Sequence, residues 1–374
     1  MEIGWDQIIR LINGKADDKE KKQIADWAKE DEHRKRFLKE AFEFYSKEEE
    51  LFISYDDTQR AWNKVNPVRR RRTVIFKYSS VAAALVLLIT VLTVLNPFQR
   101  FNDNLPHFKP GEERATLALA GESVVELGAD EKNLRNISVV KEPASKKATL
   151  VIDVKDRASE ELYKLNEIVV PKYAEYQINL EEGTRVWLNS ETKMQFPLKF
   201  SGNERVVHVS GEAYFQVAHN PDKPFIVHLN ESTQIKVLGT EFNVRTYEGD
   251  MSQSTLISGS IELIHNGTTT MVNPGESCVV DNITGQVNIR EADIMSVTSW
   301  KNGEFVFRNE TLEYIIKELS RWYDVNVVFE NEELKKERFY LYFNRTTGFE
   351  EIIYQINKTG KINYMHKNKS IVIY

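Results

Sequence analysis

Val81-Ala82-Ala83-Ala84-Leu85-Val86-Leu87-Leu88-Ile89-Thr90-Val91-Leu92-Thr93-Val94-Leu95 lies inside a stretch, Tyr78 to Gln99, without a charged side chain. At 1.5 Å per residue, a helix of about 20 residues spans the roughly 30 Å hydrocarbon layer of a bilayer. No polar face interrupts the run at helical spacing, which argues for a membrane span over its alternative, a buried core helix. Pro97 ends the helix near the far interface. The run begins too far into the chain for a signal peptide. Arg69-Arg70-Arg71-Arg72 and Lys77 stand directly before it, against the sparser Arg100, Asp103 and Lys109 behind it. Lysine and arginine gather on the cytoplasmic flank of a membrane helix. The expectation is a transmembrane helix over 78–97, a basic juxtamembrane linker over 67–77, a cytoplasmic N-terminus and a C-terminus across the membrane.

Upstream, residues 1–66 read as a small all-α bundle. Trp5, Ile8, Ile9 and Ile12 share one helical face, and Asn13-Gly14 stops that helix. Asp17 is an N-cap with Glu20 three residues on, the spacing of a capping box. Ile24, Trp27 and Ala28 make a second stripe, and Phe37, Leu38, Ala41, Phe42 and Tyr45 a third. Leu51, Phe52, Tyr55, Trp62 and Val65 make a looser fourth. So small a unit has little core to spare, which suits a module that completes its apolar burial on a partner helix. Trp5, Ile24, Trp27, Phe37 and Phe42 are its candidate partner-binding residues.

Downstream the period changes. Thr116-Leu117-Ala118-Leu119, Val206-Val207-His208-Val209 and Phe225-Ile226-Val227-His228-Leu229 are short alternating segments between turns such as Asn220-Pro221-Asp222 and Asn273-Pro274-Gly275. Such strands at near-regular spacing predict an all-β domain over 110–295, as sandwich, barrel or irregular solenoid. Residues 115–124 and 176–186 echo each other as strand, acidic-Gly turn and strand, and 128–160 reads as an irregular loop or an edge hairpin. From 302 to 374 the pattern is β-α-β-β-α-β-β, an α+β unit. Its helices are lined by Leu312, Ile315, Ile316, Leu319 and Trp322, then by Phe349, Ile352, Ile353 and Ile356. Phe339 to Phe343 is apolar on both faces. As an exposed edge it would take a partner by β-augmentation, with Phe339, Leu341 and Phe343 as candidate contacts.

The 374 residues are enough for two or three domains at roughly 100–200 residues each. Lysine and arginine number 50 against 56 acidic residues, so a strongly basic nucleic-acid binder is excluded. Cys278 is the one cysteine, which excludes an internal disulfide and a multi-cysteine zinc site. No Walker A loop, G-x-G-x-x-G, H-E-x-x-H or G-x-S-x-G is present, and the histidines show no pairing at ligand spacing. His208 and His228 read as plain strand residues. Cys278 in Ser-Cys-Val-Val lacks an activating base. No catalytic, cofactor or metal site is expected, and the chain is not expected to be an enzyme.

Gly211-Glu212-Ala213-Tyr214-Phe215-Gln216-Val217-Ala218, followed by Lys223-Pro224-Phe225-Ile226-Val227-His228, resembles the signature of FecR-type anti-sigma regulators. So do Val237-Leu238-Gly239-Thr240-Glu241-Phe242-Asn243-Val244-Arg245, Gly183-Thr184-Arg185-Val186-Trp187-Leu188-Asn189-Ser190 and Pro274-Gly275-Glu276. Phe305 to Phe329 is similar to the C-terminal domain of the Bacteroidetes branch, itself similar to the short N-terminal domain of secretins and TonB-dependent receptors. Leu11-Ile12-Asn13-Gly14 and Ile24-Ala25-Asp26-Trp27 resemble that branch's cytoplasmic module.

The resemblance implies a single-pass regulator of the bacterial inner membrane. Its cytoplasmic helices would hold an extracytoplasmic-function sigma factor. Its periplasmic part would sense the signalling domain of a TonB-dependent outer-membrane transporter. For some relatives it also implies regulatory proteases that cut near the membrane. A membrane-anchored periplasmic binding or adhesion protein, with paired aromatics as a glycan platform, is the alternative. Within the motifs, Gly211, Gly239 and Gly275 suit tight turns or bulges. Trp187, Tyr214, Phe215, Phe225 and Phe242 are expected in the sheet core.

Overall fold

The computed structural model describes residues 3–46, 110–120, 124–128, 132–134, 137–141, 148–152, 160–367 and 370–374. The expected fourth helical stripe, the basic linker and the run over 78–97 lie outside the described residues. Among those described, no helix is long and apolar enough to cross a membrane.

Three helices open the chain: α1 (Trp5–Ile12), α2 (Asp18–Lys29) and α3 (Glu32–Ser46). The end of α1 and the start of α2 have local causes. Asn13 caps α1 and Gly14 follows in the left-handed region at φ +66°. The Asp17 carboxylate accepts from the Glu20 amide at 2.7 Å, while the Asp17 amide donates to the Glu20 side chain at 3.2 Å, so the expected capping box is formed. Arg10 then joins α1 to the start of α2, pairing with Glu20 at 2.6 Å and with Asp6 at 2.8 Å. Trp5, Ile8, Ile24, Trp27 and Phe37 turn inward and are buried.

The all-β region is a sandwich, held together by one long strand. Arg205–Gln216 pairs through its first half with Thr192–Pro197 and Phe225–His228. Its second half pairs with Glu241–Thr246 and Arg185–Leu188 in the other sheet. The changeover falls at Gly211, where φ is +113° and a Cβ would lie 2.6 Å from the Thr192 Cα. Only glycine accommodates that close approach in that conformation. The two echoing segments are both hairpins, Ala115–Ala118 with Val124–Leu127 and Ala174–Asn179 with Arg185–Leu188. Within 128–160, the strands Lys132–Leu134, Ile137–Lys141 and Ala148–Ile152 form an edge meander that joins Ala174–Asn179 in parallel.

Phe215, Phe225 and Phe242 fill the space between the sheets, with Phe215 stacked on Phe242 at 5.0 Å. Trp187 and Tyr214 depart from expectation. Period-two alternation puts them on the outer face, where they meet edge-on at 5.6 Å with the Lys301 ammonium above both rings.

A short helix, α4 (Ile294–Thr298), leads into the C-terminal domain. The expected order holds: strand Glu304–Thr311, α5 (Leu312–Trp322), strands Asn326–Phe329 and Arg338–Asn344, α6 (Phe349–Asn357), then Tyr364–Lys367 and Ser370–Ile373. The Thr311 hydroxyl caps α5 by accepting from the Tyr314 amide at 3.3 Å. All nine apolar helix positions named from the sequence are buried. The strands make two short sheets: Glu304–Thr311 pairs with Arg338–Asn344, while Ser370–Ile373 lies between Asn326–Phe329 and Tyr364–Lys367. The 3-10 turn Glu332–Lys336 carries the chain from one sheet to the other.

Candidate partner interfaces

Two surfaces in the structure join separate parts of the chain. The first joins α1–α3 to the C-terminal domain. In the pair Glu304–Thr311 and Arg338–Asn344, Phe305 is in register with Phe343 and Phe307 with Leu341. These residues share the face toward α5, since Phe305 packs on Tyr323 and Phe307 on Tyr314. Val306 and Tyr342 are also in register and point the other way. That outer face is covered by the N-terminal helices. Trp27 meets Tyr342 edge-on at 5.1 Å, Phe37 lies 5.9 Å from Tyr342, and Phe44 lies 4.8 Å from Tyr340. The Tyr45 hydroxyl donates to the Tyr340 carbonyl at 2.8 Å. Charges frame the apolar contact: Arg34 reaches Glu304 at 3.6 Å, and Arg308 reaches Glu40 at 3.7 Å and the His33 carbonyl at 3.0 Å.

The structure therefore brings Trp5, Ile24, Trp27, Phe37, Phe339, Leu341 and Phe343 into one apolar cluster. Phe42 stays apart on the solvent side of α3, 36% exposed. Among the described residues, Arg338–Asn344 pairs with one strand alone, Glu304–Thr311, while one of its faces is sealed by the domain's own core and the other by α1–α3. Within one molecule this packing and a membrane crossing over 78–97 exclude each other, because the crossing would put α1–α3 and the C-terminal domain in different compartments.

The second surface joins the β domain to the C-terminal domain, and it gathers polar residues from three motifs. Glu212, Asn243 and Arg245 alternate with core residues and so share the outer face of their sheet, next to Asn189. The buried Glu212 carboxylate accepts from the Asn189 amide at 2.8 Å and the Asn243 amide at 3.0 Å, and Arg245 stands 3.6 Å away. The C-terminal domain answers with opposite charges. Arg245 pairs with Glu318 of α5 at 2.6 Å, Arg321 with Glu191 at 2.7 Å, and Arg345 with Glu175 at 2.8 Å. Arg345 also donates to the Asn189 side chain at 2.9 Å. A polar cavity of about 490 Å³ opens beside this network, lined by Glu212, Arg245, Arg290, Glu310, Glu318 and Arg345 among others.

Burial pushes the Glu212 carboxyl above its ordinary range, against the pull of Arg245. Burial would raise Glu318 as well, but the charge and hydrogen bonds of Arg245 outweigh it and hold Glu318 below that range. The pair Arg245–Glu318 is thus ionised across the junction. Sequence reading assigned the motif aromatics to the core and gave the motif polar residues no role. The available signal was an Asn, a Glu, an Asn and an Arg at outward positions of strands whose inward neighbours are apolar.

The remaining chemistry-bearing residues are simpler. Cys278 is fully buried, and burial pushes its thiol up to about 11. His208 and His228, read separately from the sequence, are register partners on adjacent strands with rings stacked at 4.8 Å. The Trp187–Tyr214 pair offers no open platform for a sugar, since Tyr214 is only 5% exposed.

Residues 166–262 match the family model described as FecR protein, and residues 304–373 match the one described as FecR, C-terminal. Two crystal structures of a Parabacteroides distasonis ATCC 8503 protein assigned as an anti-sigma factor, at 2.50 and 1.65 Å resolution, are similar to the chain. Each is 29% identical with a TM-score of 0.51, over 56% of this chain and 99% or 98% of that one. No curated protein matches.

Proposed function

The chain is a FecR-type anti-sigma factor, and on that premise we propose that it is a single-pass relay of the bacterial inner membrane. Residues 1–66 hold an extracytoplasmic-function sigma factor in the cytoplasm, and 78–97 cross the bilayer. The β and C-terminal domains read the signalling domain of a TonB-dependent transporter in the periplasm. The observation that carries the reading is the uncharged stretch Tyr78 to Gln99 behind four consecutive arginines, placed between the helical unit and the two matched domains.

In a spanning chain, α1–α3 are parted from Val306, Tyr340 and Tyr342. Aromatic area that packs on those residues here is then free to bury itself on a sigma factor, and apolar burial is worth roughly 25 cal/mol per Å². The test is co-purification of the full chain, in detergent, with each extracytoplasmic-function sigma factor of its own organism. One of them is expected to remain bound, and to be lost from Trp27→Ala and Phe37→Ala. Absence of a complex with every such factor would overturn the reading.

A further inference from the structure

We propose that the C-terminal domain latches the strand by which the chain enters the β domain, with Arg321, Trp322 and Arg345 as its positioning residues. That strand is only Glu112–Glu113, in parallel register with Ala174 and Glu175. A two-residue strand at a sheet edge has little stability of its own. Its neighbours supply the rest. The Glu112 amide donates to the Tyr173 carbonyl at 2.9 Å, and the Tyr173 amide donates to the Arg321 carbonyl at 2.9 Å. Tyr173 is held at φ +59°, a conformation that persists only where surrounding structure imposes it.

The Trp322 ring closes over Gly111. A Cβ on Gly111 would meet three of its ring carbons at 2.6 to 2.8 Å, so the backbone and the ring face are in direct contact. The ring is itself fixed. Its Nε1 donates to the Arg345 carbonyl at 2.9 Å, and the Arg345 guanidinium lies 4.0 Å over it while pairing with Glu175 at 2.8 Å. Glu175 is the register partner of Glu113, so the contacts form a closed circuit through 111–113, 173–175 and 321–345.

Lifting the C-terminal domain removes the ring from Gly111 and the acceptor from Tyr173 in one motion. Residues 110–113 then join the chain that precedes them, lengthening it by about 13 Å when extended. If the chain spans the membrane as proposed above, this hands a displacement at the far domain to the segment nearest the bilayer. The latch itself does not depend on that reading.

Hydrogen exchange on the full chain in detergent micelles tests it, comparing wild type with Trp322→Ala and Gly111→Leu. The second variant drives a side chain into the ring without altering the C-terminal domain. Exchange at Glu112, Glu113 and Tyr173 is expected to rise about tenfold or more in both, equivalent to about 1.4 kcal/mol. Amides of Ala213–Gln216 should hold their protection, and the buried Cys278 should remain unreactive, marking an intact β domain. Unchanged protection at 112, 113 and 173 overturns the latch, including where Trp322→Ala has unfolded α5. Reporter fusions that fix the topology are read independently, so failure of the spanning model leaves this result standing.

Discussion

Gly211 shows how much a single backbone position decides. The strand Arg205–Gln216 changes sheets there, at φ +113° and against the Thr192 backbone. Gly211→Ala adds left-handed strain worth about 1–3 kcal/mol as well as a collision at 2.6 Å. We expect a loss of at least ~2 kcal/mol in denaturant unfolding, and unchanged stability would refute the argument. Glu318 governs the acid side of the domain junction. Its folded value lies below its unfolded one, as does that of Asp250, where Lys317 outweighs burial. Stability from such groups is present above the ordinary carboxylate range and is lost as pH falls through the depressed values. Glu212 has the opposite sign: its value is raised, so its contribution is full at low pH and lost as pH climbs. Glu318→Gln removes the first effect alone and leaves Arg245 underpaired. It should cost about 3 kcal/mol at neutral pH, and its melting profile should approach that of wild type as pH falls through the depressed Glu318 value. Two parallel profiles would show that the ion pair is not coupled to folding.

At the scale of elements, the capping box at the start of α2 is the simplest handle. Asp17→Ala removes an acceptor 2.7 Å from the Glu20 amide and should destabilise the helix by about 1 kcal/mol, read as a lower midpoint in far-UV circular dichroism. This cap was legible because it needs only two residues three apart. The seven elements of the C-terminal domain were legible for a similar reason, since helix and strand periods alternate over short spans. Pairing was not. Nothing local tells Asn326–Phe329 to join Ser370–Ile373 in parallel while its near neighbour Arg338–Asn344 joins Glu304–Thr311. The polar junction was hidden in the same way. Asn189, Glu212, Asn243 and Arg245 come from three separate segments and meet only when the β domain folds, and Arg245 gains its Glu318 partner only when α5 docks. Trp187 and Tyr214 were expected between the sheets because a large aromatic in a strand reads as core, whereas the alternation of Val186, Leu188, Ala213 and Phe215 puts both on the opposite face, where Tyr214 is nonetheless buried.

For the whole molecule, the decisive question is which side of the bilayer each end occupies. The outer face carrying Val306 and Tyr342 answers it, because Cys278 is buried and a thiol placed there has little background. In spheroplasts of a strain making the full chain, an impermeant maleimide should label Tyr342→Cys, since α1–α3 would lie inside the cell. Failure to label intact spheroplasts, with labelling gained only after lysis of cells whose chain lacks residues 1–46, would mean that the helices remain seated on the face and that the chain does not cross. The contact across that face also sets a schedule for biosynthesis. Tyr45 and Tyr340, which bond to each other, are 295 positions apart. A ribosome adding ~5–20 residues per second needs ~15–60 s between them. If 78–97 span the membrane as proposed, delivery to the translocon within that interval would separate the two surfaces before the second exists. A span delivered late would let the newborn protein fold shut on itself, with α1–α3 seated on the face that carries Val306 and Tyr342.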